Sequence, residues 1–389
     1  MKSQERFLEI YKREPEFLAF CPYRICPIGA HIDHQFGKIT GFAIDKGVFI
    51  AYSKKQNGIV ELNSLQFEKR AQFHVKDVPP PQKDWADYLR GATVSLAEKY
   101  PLKYGLSGVI EGSIPIGGLS SSAAVIIAFL SALCRVNGIS PTKQEIVTIA
   151  QNAENSYVGV ACGKLDQSCE IYCLKDNLLY LDTLTDEVQY IHVNPNMKPY
   201  KIAIFFSGVE RNLAGSKYNM RADECKAAAY ALKAYEGMEY GKFKRNYLRE
   251  VPYEVYLRHK DKLPEPWRKR AEHYYTESQR VEEGVKAWTE GDIEKFGRLC
   301  FESGNSSVEN YEAGSPELIK LFEILKETDG IYGGRFSGAG FKGCCMALID
   351  PEKADKIFEE VEQKYLAEFP KFKGKYCAYL CETSNGVEL

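Results

Sequence analysis

No stretch of this chain reaches the roughly 18 consecutive apolar residues that a membrane-crossing helix needs. The amino-terminal MKSQERFLEIYKREPEF is too charged for a secretory signal, so the expected location is the cytoplasm. Net charge is nearly absent too: 51 Lys and Arg against 53 Asp and Glu leave −2, which gives no general pull toward nucleic acid or an anionic membrane. The basic runs KFKR at 242–245 and RKR at 268–270 lie in charge-mixed, helical-looking sequence and read as solvated faces. Paired CxxC knuckles are missing, although there are 12 cysteines; spread through apolar segments of a long chain, they read as reduced core residues rather than disulfides or a zinc site. Internal repeats are absent as well, and the glycine–serine loop within 109–136 has neither the GxxxxGK[ST] nor the dinucleotide GxGxxG spacing.

What is present supports a large core. A chain of 389 residues, 44% hydrophobic and 27% charged, exceeds one typical domain, so two are expected. The first half alternates β-like runs (GVFIAYS, GIVELNS, YGLSGVIEG) with helical stretches. At 184–200 the chain thins into LTDEVQYIHVNPNMKPY, where Pro195 and Pro199 bracket a polar hinge, which sets domains at 1–190 and 200–389. The second half restarts with KIAIFFSGV at 201–209, turns helical over about 220–326, and returns to strands in CCMALID (344–350) and KYCAYLCE (375–382). The expected fold class is α+β, with two domains.

Four stretches carry chemistry. In VIEGSIPIGGLSSSAAVIIAFLSALCRV (109–136), Gly117 and Gly118 allow close backbone approach, and Ser120, Ser121 and Ser122 open an apolar helix. Free N–H groups, the positive end of a helix dipole and three hydroxyls suit a triphosphate. In NAENSYVGVACGKLDQS (152–168), a helix begun by Ser140 and Pro141 is broken by Gly159 and Gly163, which sets Glu154 and Asp166 on either side of a turn. GIYGGRFSGAGFKGCCMALID (330–350) is a glycine-rich loop backed by an apolar strand. CPIGAHIDHQFG (26–37) clusters His31, Asp33 and His34. A metal site there fails because Gly29 stands where a first histidine is needed and no later ligand set follows.

The serine loop resembles the phosphate loop of the GHMP small-molecule kinases, PxGxGLSSSAA, with one residue fewer between Pro115 and Leu119. The carboxylate turn is similar to the galactokinase segment ending in GIMDQ. That resemblance implies that Glu154 and Ser122 hold Mg2+ and that Asp166 is the catalytic base. The third loop resembles SGxGxGGC, with Ala339 and Lys342 replacing two glycines, and Trp85 in KDWADYLRGA matches a position near the adenine. CPYRICPIGAHIDH aligns without gaps with GRxNLIGEHTDY: Arg24 falls on the catalytic arginine, His31 and Asp33 on sugar-side residues, and His34 on a tyrosine. Ala30 falls on a glutamate that contacts the sugar 6-hydroxyl, and Tyr218 in SKYNMRADEC on a tyrosine that contacts the sugar. By resemblance Gly117, Gly118, Leu119, Ser120, Ser121 and Ser122 cradle ATP, and the fold is the two-domain GHMP kinase fold with its active site in the cleft.

Ala30 is the informative departure, since losing a glutamate makes room for a 6-carboxylate. PYRICPIGAHIDHQ, GLSSSAAV, LDQS, SSVENYE and RFSGAGFKGCC resemble the galacturonokinases more closely than the galactokinases. The implied activity is ATP-dependent phosphorylation of D-galacturonate at its anomeric hydroxyl. The alternatives are a galactokinase and a non-catalytic sugar and ATP sensor, against which Arg24, Glu154 and Asp166 argue. Lys164, Arg211 and His34 are the candidate cations for a substrate carboxylate. The expected partners are the sugar and ATP, with no nucleic acid or membrane, in a monomer or weak homodimer.

Overall fold

The computed structural model describes residues 2–114, 119, 121–209, 217–338, 340 and 343–389. Their strands are β1 (Phe17–Ile25), β2 (Lys38–Lys55), β3 (Ile59–Ser64), β4 (Ala71–His74), β5 (Gly105–Gly112), β6 (Asn177–Asp182), β7 (Glu187–His192), β8 (Lys201–Phe206), β9 (Ile331–Phe336), β10 (Cys344–Ile349), β11 (Cys377–Cys381) and β12 (Thr383–Ser384). The helices are α1 (Lys2–Tyr11), α2 (Asp87–Ala97), α3 (Ser121–Asn137), α4 (Lys143–Asn152), α5 (Leu165–Tyr172), α6 (Tyr218–Glu236), α7 (Tyr253–His259), α8 (Glu265–Glu290), α9 (Ile293–Glu309), α10 (Pro316–Glu327) and α11 (Ala354–Glu368).

A first sheet runs β4-β3-β5-β2-β6-β7, with β1 and β12 also paired to the long β2; only β3 and β5 run parallel. The chain leaves this sheet after β7 and enters a second, antiparallel sheet, β11-β8-β10-β9, at β8. Thr383 and Ser384 then return to pair with Ile44 and Ala43 of β2, tying the end of the chain to the first sheet.

The sequence patterns explain the layers. Helix α3 is apolar nearly all round and buries 12 of its 17 residues, as expected of a central helix rather than a surface one. Along β8 and β10 both faces are apolar. Ile202, Ile204, Phe206, Cys344, Met346 and Leu348 join the main core, while Ala203, Phe205, Cys345, Ala347 and Ile349 face α10 and α11. All 12 cysteines are free thiols.

One helix start differs from the sequence reading. Helix α4 begins at Lys143, not at Ser140 and Pro141, because Thr142 and Glu145 form a capping box. The Thr142 hydroxyl accepts from Glu145 N at 3.2 Å and the Glu145 carboxylate accepts from Thr142 N at 2.7 Å. Two orphan N–H groups are satisfied at once, which a serine cap two residues earlier does not offer. The helix then widens into a π-turn, Ala153–Val158, that ends at Gly159 with φ 86°.

Candidate active site

Pro22 lacks the N–H that the β1–β2 ladder would use, and the register slips between Pro22 and Tyr23. Just beyond the slip, Arg24 is 3% exposed and grips Asp166, the second residue of α5. Nε and Nη2 donate to the same Oδ1 at 2.8 and 2.6 Å, and among the described residues Oδ2 accepts no hydrogen bond. The Asp166 side chain is 27% exposed, so the pair is open on its acid side. Burial alone would lower the Arg24 guanidinium, but the Asp166 carboxylate outweighs it and holds the charge above its ordinary range. Ser337, at the start of the third glycine loop, accepts from Arg24 Nη1 at 3.4 Å.

The His-Asp-His loop is held from outside. Gly29 lies at φ 104°, and a Cβ there would sit 2.8 Å from Ile39 Cα. Its N–H donates to Glu277 Oε1 of α8 at 2.6 Å, and His273 Nε2 of the same helix donates to Ala30 O at 3.0 Å. Buried Glu277 is matched by Arg280 at 2.7 Å, Arg335 at 3.5 Å and Ser303 at 2.5 Å. Burial alone would raise Glu277, yet these partners pull it down to about 2. Asp33 Oδ2 accepts from Leu165 N at 3.1 Å, at the start of α5. Burial, then the nearby Asp166, push Asp33 up to about 6. Gly163 lies flat on that carboxylate, where any Cβ would come within 2.1 Å of Oδ2. Asp33 and Asp166, separated by 133 positions, therefore share one helix start.

Tyr218 opens α6 and meets His34 edge-on at 6.1 Å. Burial raises its phenol well above the ordinary range, with the Asp33 charge second. Asn219 ties this helix to the turn after α4, accepting from Ala161 N and donating to Gly159 O, both at 3.0 Å. Two of the candidate cations for a carboxylate are already used. Lys164 pairs with Asp186 at 2.7 Å. His34 is pushed down to about 3, first by burial and then by Lys226, and both its ring nitrogens are engaged. Arg211 lies outside the described residues.

On the nucleotide side, Gly117, Gly118 and Ser120 lie outside the described residues. Leu119 and Ser121 are buried, and Ser122 is half-buried in the first turn of α3. Glu154 is 3% exposed in the π-turn and accepts from Gln167 Nε2 at 2.6 Å, so the residue after Asp166 orients it. Trp85 precedes α2, donates from Nε1 to Lys69 O at 2.7 Å, and stacks on the exposed Phe67 at 5.9 Å and 7°. Phe67, Gln167, Ser337, His273, Glu277 and Tyr311 escaped the sequence reading as single residues. Tyr311 and Ser337 lay within the quoted SSVENYE and RFSGAGFKGCC stretches, whereas His273 and Glu277 sit on a helix that looks like an ordinary charged face.

The signature of the GHMP kinases N terminal domain matches residues 87–173, that of the GHMP kinases C terminal region matches 283–367, and the galactokinase galactose-binding signature matches 5–54. These matches and the fold define a GHMP kinase. A galacturonokinase of Arabidopsis thaliana is 37% identical over 95% of this chain and 92% of its own length. A galactokinase of Clostridium acetobutylicum is 33% identical over 93% and 92%. The solved galactokinase of Lactococcus lactis, complexed with galactose, superposes with a TM-score of 0.89 at 28% identity, covering 99% of this chain and 98% of that one. The chain belongs to the galactokinase family of GHMP kinases, and is a phosphotransferase with an alcohol group as acceptor.

Proposed function

We propose that the enzyme transfers the terminal phosphoryl group of ATP to the anomeric hydroxyl of D-galacturonate, giving galacturonate 1-phosphate and ADP. Ala30 carries this reading. Its methyl is buried beside His31, where the galactokinase motif has a glutamate. Two carboxylates at contact distance repel by about 1 to 4 kcal/mol at effective dielectrics of 80 to 20, so a glutamate here would exclude a sugar acid that alanine admits. The second reading, D-galactose, is favoured by the match of residues 5–54 to the galactose-binding signature.

Phosphoryl transfer needs positioning and charge neutralisation more than nucleophilic push. Asp166 offers Oδ2 to the anomeric hydroxyl, orients it and accepts its proton late in the transfer, while Arg24 fixes the carboxylate and balances charge building on the transferred group. Asp33, His31 and Tyr218 hold the sugar. The serine loop at the start of α3 cradles the phosphates, and Trp85 with Phe67 offers a flat apolar face to the base. Glu154 and Ser122 supply one carboxylate and one hydroxyl, the donor set magnesium takes alongside nucleotide phosphates, and the ion bound there would neutralise phosphate charge. The site of phosphorylation is tested by NMR of the product. Transfer to the anomeric oxygen gives the anomeric proton a three-bond coupling to phosphorus; a phosphate on another hydroxyl would overturn the assignment of Asp166.

A further inference from the structure

His31 is held in an unusual state. Its Nε2 is buried and has no hydrogen-bond partner among the described residues. Its backbone is left-handed, at φ 64°, and its ring lies flat on Tyr311 at 4.3 Å and 9°. A relay pins Tyr311. Leu248 N–H donates to Gln35 Oε1 at 3.1 Å, which fixes the amide so that Gln35 Nε2 donates to His34 Nδ1 at 3.0 Å. His34 therefore carries its proton on Nε2 and gives it to the Tyr311 hydroxyl at 3.1 Å. Nearby arginines are already matched: Arg24 by Asp166, Arg335 by Glu277, and Arg221 and Arg270 by Glu224 and Glu312. A carboxylate brought against this wall of neutral rings needs a counter-charge, because an unpaired buried charge is costly.

We propose that His31 takes up one proton from solvent as the sugar acid binds and meets its carboxylate as an imidazolium, with Tyr311 as the positioning residue. This rests on the sugar-acid reading above. Among the described residues, the charged and titratable groups around the ring and its loop include Arg24 on β1, Asp33 and His34 on its own loop, His273 and Glu277 on α8, Tyr311 after α9 and Arg335 on β9. Burial first, and then the charges of Arg335 and Arg24, hold the ring neutral while the pocket lacks an acid. An incoming carboxylate reverses the sign of that field, and imidazole titrates close enough to neutrality to respond.

The test uses the whole enzyme with magnesium and a non-hydrolysable ATP analogue at pH 7.5. Calorimetry in phosphate and in Tris should show about 0.5 to 1 proton taken up per D-galacturonate and none per D-galactose. NMR of ring-labelled histidine, with the His31 signal assigned by its loss in His31→Asn, should show that ring becoming imidazolium with galacturonate only. No proton uptake, or a His31 ring that stays neutral beside bound galacturonate, overturns the proposal. So does loss of galacturonate binding in Lys226→Met with His31 still neutral, since Lys226 faces His34 from α6. Binding of galactose without galacturonate would instead remove the sugar-acid reading itself. Tyr311→Leu should raise the galacturonate KM about three- to tenfold with kcat nearly unchanged, and Tyr311→Phe, which keeps the stack, should restore it.

Discussion

The proposed preference for a sugar acid rests on one methyl group, that of Ala30. Ala30→Glu should lower kcat/KM for D-galacturonate by roughly 5- to 900-fold, the range that a repulsion of about 1 to 4 kcal/mol gives, while galactose holds or gains. Equal losses for both sugars would show that charge at this position does not discriminate. Asp166→Asn should abolish turnover and leave sugar affinity within about tenfold, because the amide still holds the hydroxyl but cannot take its proton. Calorimetric affinity beside a turnover assay separates the two effects, and a variant with near-normal rate would end the assignment. Ala30, Arg24 and Asp166 stand out in the sequence because each lies inside a patterned stretch, and the fold brings Arg24 onto Asp166. The engagement of Lys164 by Asp186 and of His34 by Tyr311 was not legible there, since those partners lie 22 and 277 positions away and only the fold brings them together.

Among the elements, α8 clamps the 26–37 loop through His273 and Glu277. Glu277→Ala leaves Arg335 buried with no carboxylate opposite and should cost about 3 to 5 kcal/mol in urea unfolding, whereas Glu277→Gln should cost less. Glu277 is depressed to about 2 against an ordinary 4.5. Its contribution is therefore complete above pH 4.5 and is lost as pH falls toward 2, and the Gln variant should lose that part of the acid transition. An unchanged transition would mean that the buried pairs are neutral to stability. Composition marked a helical stretch over about 220–326 but neither the bounds of α8 nor this role. Charged residues spaced along a helix look like a solvated face, and burial of Glu277 depends on Arg335 arriving from β9 and Ser303 from α9. The start of α4 shows the complementary error: Ser140 and Pro141 are good local signals, but Thr142 with Glu145 satisfies more of the helix end.

Over the whole molecule, β8, β10 and α3 were legible because they are buried on all sides and written almost wholly in apolar residues. The return of Thr383 and Ser384 to β2 was not readable, since two residues carry no period. Acid sensitivity is a property of the assembled core. Burial above all pushes His34 down to about 3 and His273 to about 4, while unfolded histidine titrates near 6.5. These rings cost nothing above pH 6.5 and destabilise increasingly below it, by about 1.4 kcal/mol per pH unit each. Asp33, raised to about 6, acts in the opposite direction between pH 6 and 3.8 and offsets part of this. Thermal unfolding should therefore shift downward from pH 7 to 5, with a shallower slope in His273→Gln; a flat profile would contradict the buried neutral state of these rings. The proposed specificity of this galactokinase-family scaffold for a sugar acid follows from alanine standing where a carboxylate would repel it. It is tested most directly by ADP release with magnesium and ATP on D-galacturonate, D-galactose and D-glucuronate. A kcat/KM at least about a hundredfold higher for galacturonate, equivalent to roughly 2.7 kcal/mol of transition-state discrimination, is expected; a preference for galactose would contradict it.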